Sequence, residues 1–431
     1  MPMSAPGGSP QFDALMRMYR AALAAADPRL VVPPNLPEPP RGRTVVVGVG
    51  KAAAAMAQAV EAKWVGELSG TVVVPAGASL PLQRIAVLES SHPVPDERSV
   101  IAAKALLDAV SGLGPTDLVI ALVSGGGSSL CALPATWIDL QEKRRITKQL
   151  LGRGASIHEM NAVRKHLSAI KGGRLALAAY PARVVTLVIS DIPGDDPALV
   201  ASGPTLATTS TAGDALDILN RYEIDPGVKL RETLESSASQ SVSPDDSRLQ
   251  DNSHRIIASA WDGLAAASRV ARTEGLECHI LGDALEGEAR ELAKVHAGMT
   301  HSIAKRGVPF SAPCVLLSGG EATVTLKGDG RGGRNTEFAL AFALALEQLP
   351  ITARVHAFSA GTDGLDGQAG AAGAWVAPDS LQRGRAFGLS ARDFLDRNDS
   401  GTFFERLGLL VHTGPTHTNV NDFRAILVEP A

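Results

Sequence analysis

The stretches LVIALV (Leu118–Val123) and VVTLVI (Val184–Ile189) show no alternation of apolar and polar residues. A strand with one face in water alternates, because successive side chains point to opposite sides. A strand that is apolar almost throughout must be covered on both sides, as in a parallel sheet sandwiched between helices. The neighbouring sequence agrees. Strands are predicted at Thr44–Val47, Thr71–Val74, Ile85–Leu88, Asp117–Val123 and Arg183–Ile189. Helices are predicted at Ala52–Trp64, Asp96–Val110, Asp139–Leu151 and Ser156–Ile170. The fold class that follows is α/β, with a Rossmann-like parallel sheet carrying helices on both faces.

Between Leu234 and His254 the alternation gives way to ESSASQSVSPDDSRLQDNS, a polar tract that cannot build a core and reads as a linker or long surface loop. Strands then resume at Arg255–Ala258, Leu276–Leu281, Cys314–Leu317, Thr323–Leu326, Val355–Ser359 and Ala425–Val428. Helices accompany them at Ala260–Glu274, Leu285–Lys305 and Asn335–Leu349. A chain of 431 residues also exceeds the size at which one core keeps growing. Two domains are therefore expected, 10–245 and 254–431. A helix at Gln11–Ala26 and the proline-rich VVPPNLPEPPRGR lead into the first.

Charge and composition narrow the function. A net charge of −4 without blocks of like charge leaves no footprint for nucleic acid. No apolar run reaches membrane-spanning length. The start, MPMSAPGGSP, reads as disordered and lacks the basic and apolar parts of a signal peptide, so a cytoplasmic protein is expected. Cys131, Cys278 and Cys314 are far apart, without metal-ligand spacing, and read as small core residues in a reducing compartment. Small molecules remain as partners; monomer and homodimer both stay open.

Ligands of open α/β sheets bind beyond the carboxyl ends of strands. Polar glycine-rich turns follow buried strands repeatedly here, and they are expected to share one sheet edge as an active-site rim. In the first, Gly48, Gly50 and Ala53 satisfy the dinucleotide pattern G-x-G-x-x-A. The next strand, however, runs into Pro75-Ala76-Gly77-Ala78, with no carboxylate for ribose hydroxyls. Lys51 in that turn reads instead as a cation meeting an anionic substrate or a transferring phosphoryl group. SGGGSS, comprising Ser124, Gly125, Gly126, Gly127, Ser128 and Ser129, reads as an anion cradle of convergent N–H groups and hydroxyl donors. A helix starting there would add its dipole.

The remaining turns are acidic. SDIPGDDP holds Asp191, Asp195 and Asp196; SGGE is Ser318, Gly319, Gly320 and Glu321; SAGTDGLDG holds Asp363 and Asp366. Hard oxygen ligands beside phosphate loops suit Mg²⁺, and an aspartate can take the proton of an attacking hydroxyl. GDGRGGRN places Arg331 and Arg334 before a helix, where an arginine can stabilise a transferring phosphoryl group. On the helix IHEMNAVRKHLSAIKGG, Asn161, Arg164, Ser168 and Lys171 share a polar face suited to gripping a carboxylate or phosphate.

GVGKAA, SSHPVPDERS, SGGGSSL, NAVRKHLSAIKGGRLA, SDIPGDDPALVASGPT, LSGGEATV, GRGGRNTEFALA and SAGTDGLDG together resemble the glycerate 2-kinases built from a MOFRL-associated N-terminal domain and a C-terminal MOFRL domain. The match runs in order from about Phe12 to Val428. It implies ATP-dependent phosphorylation of D-glycerate at its 2-hydroxyl, giving 2-phosphoglycerate and ADP with Mg²⁺. It also implies a smaller α/β second domain and an active site in the cleft between the domains. Lys51, Asp191, Arg334 and Asp363 stand at the family's active-site positions. Thr336 stands where glutamine is expected. On this reading ATP phosphates meet Gly48, Gly50, Ser124 to Ser129 and Ser318 to Glu321, and glycerate meets Asn161, Arg164 and Lys171. Asp191 and Glu321 are the metal candidates. The rivals are an NAD(P)H-dependent hydroxypyruvate reductase, opposed by the missing ribose carboxylate, and a non-catalytic sensor of nucleotide or sugar acid.

Overall fold

The structure, a computed structural model, describes residues 9–236 and 241–430. Residues 1–8, expected to be a disordered start, and 237–240 of the serine-rich tract lie outside the described residues. The chain divides into two compact units, Pro28–Ile257 and Met1–Asp27 with Ala258–Ala431.

β-branched residues favour extended backbone, and in the Pro28–Ile257 unit they lie side by side. Its strands are β1 (Thr44–Val49), β2 (Ser69–Pro75), β3 (Ala86–Ser90), β4 (Leu118–Val123), β5 (Arg183–Ile189) and β6 (Ser253–Ala258), in the order β3-β2-β1-β4-β5-β6. Pairing from β3 through β5 is parallel. β1 and β4 are buried at every position, as their uninterrupted apolar sequences require. Val45, Val47 and Val49 share a core with Ala102, Ala103 and Leu106 of the helix Glu97–Ala109. The helix Ala53–Lys63 packs against β1, β2 and β4 from outside that core. A separate apolar cluster, including Ile146, Met160, Val163, Ile218 and Leu219, joins helices on either side of β5 in the sequence.

The expected boundary at 245–254 moves, because β6 completes this first sheet. Much of the serine-rich tract is stitched to the same unit. The Thr208 N–H donates to the Val242 carbonyl at 3.1 Å and the Val184 N–H to Asn252 Oδ1 at 2.7 Å. Those bonds satisfy backbone groups of β5 and of the loop at Thr208.

The other unit holds β7 (Glu277–Gly282), β8 (Gly287–Glu288), β9 (Cys314–Gly320), β10 (Ala322–Thr323), β11 (Arg354–Gly361), β12 (Gly373–Val376), β13 (Leu410–Val411) and β14 (Asp422–Glu429). The main sheet runs β13-β12-β11-β14-β9-β7, while β8 and β10 form a small pair. β14 is antiparallel to both β9 and β11, so those two strands point the same way and end at the same edge. The strand predicted at Thr323–Leu326 shortens to β10.

The first helix, Pro10–Ala25, belongs to this unit and not to a domain running 10–245. Leu15, Met18 and Tyr19 are fully buried in its core. The Tyr19 hydroxyl donates to the Gly361 carbonyl at 2.7 Å, and its ring lies 5.2 Å from that of Phe358. The apolar stripe of this helix therefore finds its partners in the second half of the sequence, among them Leu264, Ala267 and Ala271 of the helix Ala260–Thr273. Truncating Met18 to alanine should cost about 2–5 kcal/mol of stability, measured by chemical denaturation. A loss within experimental error would show that the helix is not part of the core.

Candidate active site

In the Pro28–Ile257 unit, the turns after β1, β4 and β5 adjoin along one sheet edge. Gly48 and Gly50 are there for closeness. A Cβ on Gly48 would lie 2.8 Å from Val72 Cγ1, and one on Gly50 would lie 2.2 Å from Ser124 Oγ. The β1 turn thereby donates its amides to the protein itself. Gly50 N–H bonds Val73 O at 3.1 Å, Lys51 N–H bonds Gly125 O at 2.9 Å and Ala53 N–H bonds Gly50 O at 3.2 Å. Ala52 N–H bonds Ser124 Oγ at 3.1 Å. Gly48, Gly50 and Ser124 were expected to bind phosphate; Gly48 instead lets β1 pack closely on Val72, and Gly50 and Ser124 sit where the two turns are laced together.

What remains is the run after Ser124. The N–H groups of Gly125, Gly126, Gly127 and Ser128 have no acceptor among the described residues. Unpaired successive amides form a concave anion site. The helix behind them, Gly127–Leu130, is a single short turn, so the amides and not a macrodipole supply the attraction. Ser129 turns inward, its hydroxyl donating to Gly126 O at 3.1 Å. Two further groups of the expected site stand over this loop. A Cβ on Gly125 would fall 1.6 Å from Asp191 Oδ2, so the carboxylate rests where only glycine fits. The same construction at Gly126 meets His92 at 3.0 Å and the Lys51 stem, at Cγ, at 3.5 Å. His92 sits in SSHP, a stretch recognised at sequence level without the residue being singled out.

The helix carrying Asn161 and Arg164 ends at His166, so Ser168 and Lys171 do not share its face. Ser168 donates to Leu133 O at 3.1 Å and is a structural brace. Lys171 is fully buried and still reaches the cradle: its ammonium donates to Ser128 O at 2.9 Å and Ala201 O at 3.5 Å. Burial pushes its pKa down to about 8. Burial likewise lowers Arg164, which has no carboxylate partner among the described residues. Buried cations without carboxylates are costly alone and favourable beside an anion. Asn161 is buried under the cradle, where its Oδ1 accepts from Ser202 Oγ at 2.5 Å. Expected to meet the substrate, it is engaged on both amide atoms within the protein, its Nδ2 donating to Leu199 O at 3.4 Å. Ser202 and the strained Ala201 before it, at φ 62° and 53°, escaped the sequence reading.

The other unit centres on a residue that the sequence reading missed. Asp422, at the head of β14, stands in register with Gly320 on one side and Gly361 on the other. Its Oδ1 accepts from Arg334 Nε at 2.7 Å and Asn335 Nδ2 at 2.9 Å, and its Oδ2 from Arg424 Nη2 at 2.8 Å. Burial would raise its pKa, but the arginines outweigh that and hold it below the usual carboxylate range. Arg334 also donates from Nη1 to Glu321 Oε1 at 2.9 Å. Asp366 caps the helix Arg334–Glu347, accepting from Asn335 N–H and Thr336 N–H at 2.8 Å each. Burial pushes Asp366 up to about 6.

Ser318, Gly319 and Gly320 lie inside β9, fully buried, and are not the phosphate loop expected of them. Neutral His296, pushed down to about 4 by burial, accepts the Ser318 hydroxyl at 3.0 Å because its Nδ1–H donates to Leu292 O. Gly319 O accepts from Arg424 Nη1 at 3.2 Å, and a Cβ on Gly320 would strike Leu285 at 2.3 Å. The expected rim of glycine turns along one edge is thus two separate sets in two sheets. Asp363 follows β11, its Oδ1 accepting from Leu365 N–H at 3.1 Å.

Among the described residues, no three His, Cys, Asp or Glu side chains gather to hold a metal ion. Mg²⁺ carried by a triphosphate keeps its waters and needs only one or two carboxylates. Asp191, against the bare Cα of Gly125, fits that demand; Glu321, engaged by Arg334, does not. All three cysteines are buried, and burial raises the Cys131 thiol to about 11, which suits core residues and no nucleophile. No helix among the described residues is long and apolar enough to cross a membrane.

Residues 14–235 match the family described as Domain of unknown function (DUF4147), and residues 314–422 match the MOFRL family. A protein of Agrobacterium vitis named "Putative hydroxypyruvate reductase" is 52% identical over 417 residues, covering 96% of this chain and 94% of the relative. The "D-glycerate 2-kinase" of Thermotoga maritima is 37% identical over 409 residues, covering 94% and 96%. A crystal structure of a Thermotoga maritima glycerate kinase superposes with a TM-score of 0.86 at 36% identity, covering 96% of this chain and 99% of that one.

Replacing Asp422 by alanine leaves Arg424 and Arg334 facing each other in a buried space. The loss should be about 3–5 kcal/mol, read by denaturant unfolding. A variant as stable as the parent would remove Asp422 from the centre of this cluster.

Proposed function

We propose that this chain, which belongs to the glycerate kinase family formed by a DUF4147 domain followed by a MOFRL domain, transfers the γ-phosphoryl group of ATP to the 2-hydroxyl of D-glycerate. The observation that carries the reading is the run of amides from Gly125 to Ser128, left without acceptors among the described residues and beside a buried lysine. Triphosphate oxygens accept from those amides. Lys51, whose stem crosses Gly126, offsets charge on the transferring group. Asp191 stands beside the same loop and takes or orients the proton of the attacking hydroxyl. Lys171 and Arg164 supply positive charge for the substrate carboxylate. Arg334 and Asp363 keep the roles that the family resemblance implies for them. Mg²⁺ bound to the phosphates would be met by Asp191 and would neutralise charge on the nucleotide.

The 52% identical relative's name favours a second reading, NAD(P)H-dependent reduction of hydroxypyruvate. A dinucleotide pyrophosphate needs the amides of the turn after β1, and here each of them from Gly50 to Ala53 is already bonded within the protein. β2 also ends at Pro75 and runs on through Ala76, Gly77 and Ala78 without an acidic residue. The deciding experiment incubates the protein with ATP, Mg²⁺ and D-glycerate and identifies the product by phosphorus NMR. 2-Phosphoglycerate with stoichiometric ADP is expected. 3-Phosphoglycerate would overturn the regiochemistry, and enzyme-dependent NADH loss with hydroxypyruvate but no ADP would overturn the reading.

Lys51→Met should lower turnover by ~100-fold or more while the circular dichroism spectrum is retained, because the backbone bonds of that turn do not involve its side chain. Unchanged turnover would remove Lys51 from the reaction. Lys171 sets a pH dependence. Its folded pKa of about 8 lies below the ordinary 10.5, so raising the pH through 8 strips the charge that a carboxylate needs. KM for glycerate should rise across that window. The fold itself gains stability from this residue over the same range, since the unfolded chain binds the proton more tightly. A KM that is flat from pH 7 to 10 would dismiss the ammonium as a substrate contact.

A further inference from the structure

Three hydroxyl and amide groups beneath the cradle form a chain whose direction can be fixed. Ser128 Oγ and Ser202 Oγ lie 2.7 Å apart, and geometry alone allows either to donate. Ser202 has a single hydroxyl proton, and it goes to Asn161 Oδ1, an oxygen that can only accept. Ser128 is therefore the donor to Ser202, and its own proton is committed inward. Asn161 is held in that orientation by its Nδ2, which donates to Leu199 O at 3.4 Å. Ser202 and Asn161 are both fully buried, so water does not compete for these bonds. Ser128 is only half-buried, and with its proton committed to Ser202 its oxygen keeps its acceptor lone pairs and has no proton to offer.

From this polarity we infer that Ser128 is a specificity-determining residue, its Oγ accepting a hydrogen bond from the substrate hydroxyl that is not phosphorylated. The inference rests on the glycerate reading above and adds to it the feature that selects a dihydroxy acid over a monohydroxy one. An acceptor-only oxygen repels a phosphate oxygen or a carboxylate, both of which only accept, so the group it meets must carry a proton. The reacting hydroxyl does not suit it. That hydroxyl must shed its proton to a basic group, and an alcohol already donating to a neighbour takes a hydrogen bond and not a proton; the Asp191 carboxylate is the base at hand. Lys171, fully buried and bonded to the carbonyl of Ser128 itself, independently calls for an anion at the same place. A cation beside a hydroxyl acceptor matches a carboxylate and a neighbouring alcohol on one small molecule.

The test compares kcat/KM for D-glycerate with that for D-lactate, which keeps the carboxylate and the 2-hydroxyl and lacks the second alcohol. Wild type should favour glycerate, and Ser128→Ala should shrink that ratio by at least ~10-fold, since a site built to bond a hydroxyl discriminates strongly against its loss. Ser202→Ala provides the control for polarity. It frees the Ser128 proton, so 3-O-methylglycerate, whose ether oxygen can only accept, should gain affinity by several fold (about 3-fold or more) in direct calorimetric titration. Equal losses for glycerate and lactate in Ser128→Ala, or no gain for the ether in Ser202→Ala, would overturn this inference alone. Wild-type protein that does not phosphorylate glycerate at all would overturn the functional reading and this one with it.

Discussion

The approach of the β1 turn to the β4 turn governs the candidate site of the Pro28–Ile257 unit. Gly50 lies so close to Ser124 that no side chain can stand between them. That closeness lets Ser124 Oγ and Gly125 O take the N–H groups of Ala52 and Lys51. The cost falls on the turn with the dinucleotide pattern, which loses its capacity for a pyrophosphate. The gain falls on the next turn, which is braced from beneath while its amides from Gly125 to Ser128 stay unbonded among the described residues. A rigid loop with unpaired donors is preorganised for anions, because nothing must reorganise when the ligand arrives. Lys51 is carried to the rim of that loop by the same bonds. A sequence pattern that suggests a dinucleotide therefore serves, through one tertiary contact, to brace a neighbouring loop of unpaired donors.

In the other unit a single carboxylate plays the corresponding part. β9 and β11 each lie against β14, so their ends must meet around the first residue of β14. Placing an aspartate there brings a fully buried charge between Gly320 and Gly361, tolerable only with cations in contact. Arg334 and Arg424 satisfy it, and Asn335 completes the set. Arg334 is the first residue of a helix whose start is fixed separately by Asp366. Its guanidinium is thus held at both the backbone and the side chain, with Nη1 on Glu321 at the more exposed end. An arginine restrained in this way loses little entropy when it meets a charged group.

The strands buried on both faces were legible because burial leaves a direct mark on composition, and β1, β4 and β5 follow their apolar runs closely. Short edge pairs such as β8 with β10, and β13, leave no such mark in two residues each. The helix Pro10–Ala25 was visible as a helix, but its partner was not, since an apolar stripe says that a face is covered and not by what. The site residues divide in the same way. Lys51, Asp191 and the glycines of the cradle stand in turns directly after strands, where position alone suggests a role. Asp422 and Ser202 act through partners 88 and 74 residues away, respectively. Only the alternation of Asp422 and Arg424 at the head of an otherwise apolar strand could have hinted at a buried ion pair. Gly48, Gly50, Ser124 and Ser318 show the opposite error, in which residues typical of ligand loops are used for close packing.

Ser128 joins two chemistries on one residue. Its backbone N–H is a donor without an acceptor among the described residues, and its side-chain oxygen is an acceptor whose proton is spent on Ser202. A phosphate oxygen is attracted by the first and repelled by the second; an alcohol carrying a proton can satisfy the second. Donor and acceptor directions a few ångströms apart therefore sort two ligand groups that would otherwise compete for the same positive region. Lys171 cannot do this sorting, because a buried ammonium attracts a carboxylate and a phosphate alike. Direction comes from the buried amide of Asn161, which fixes where each proton points. On the proposed reading, the distinction between substrate and phosphate is set by a group that touches neither.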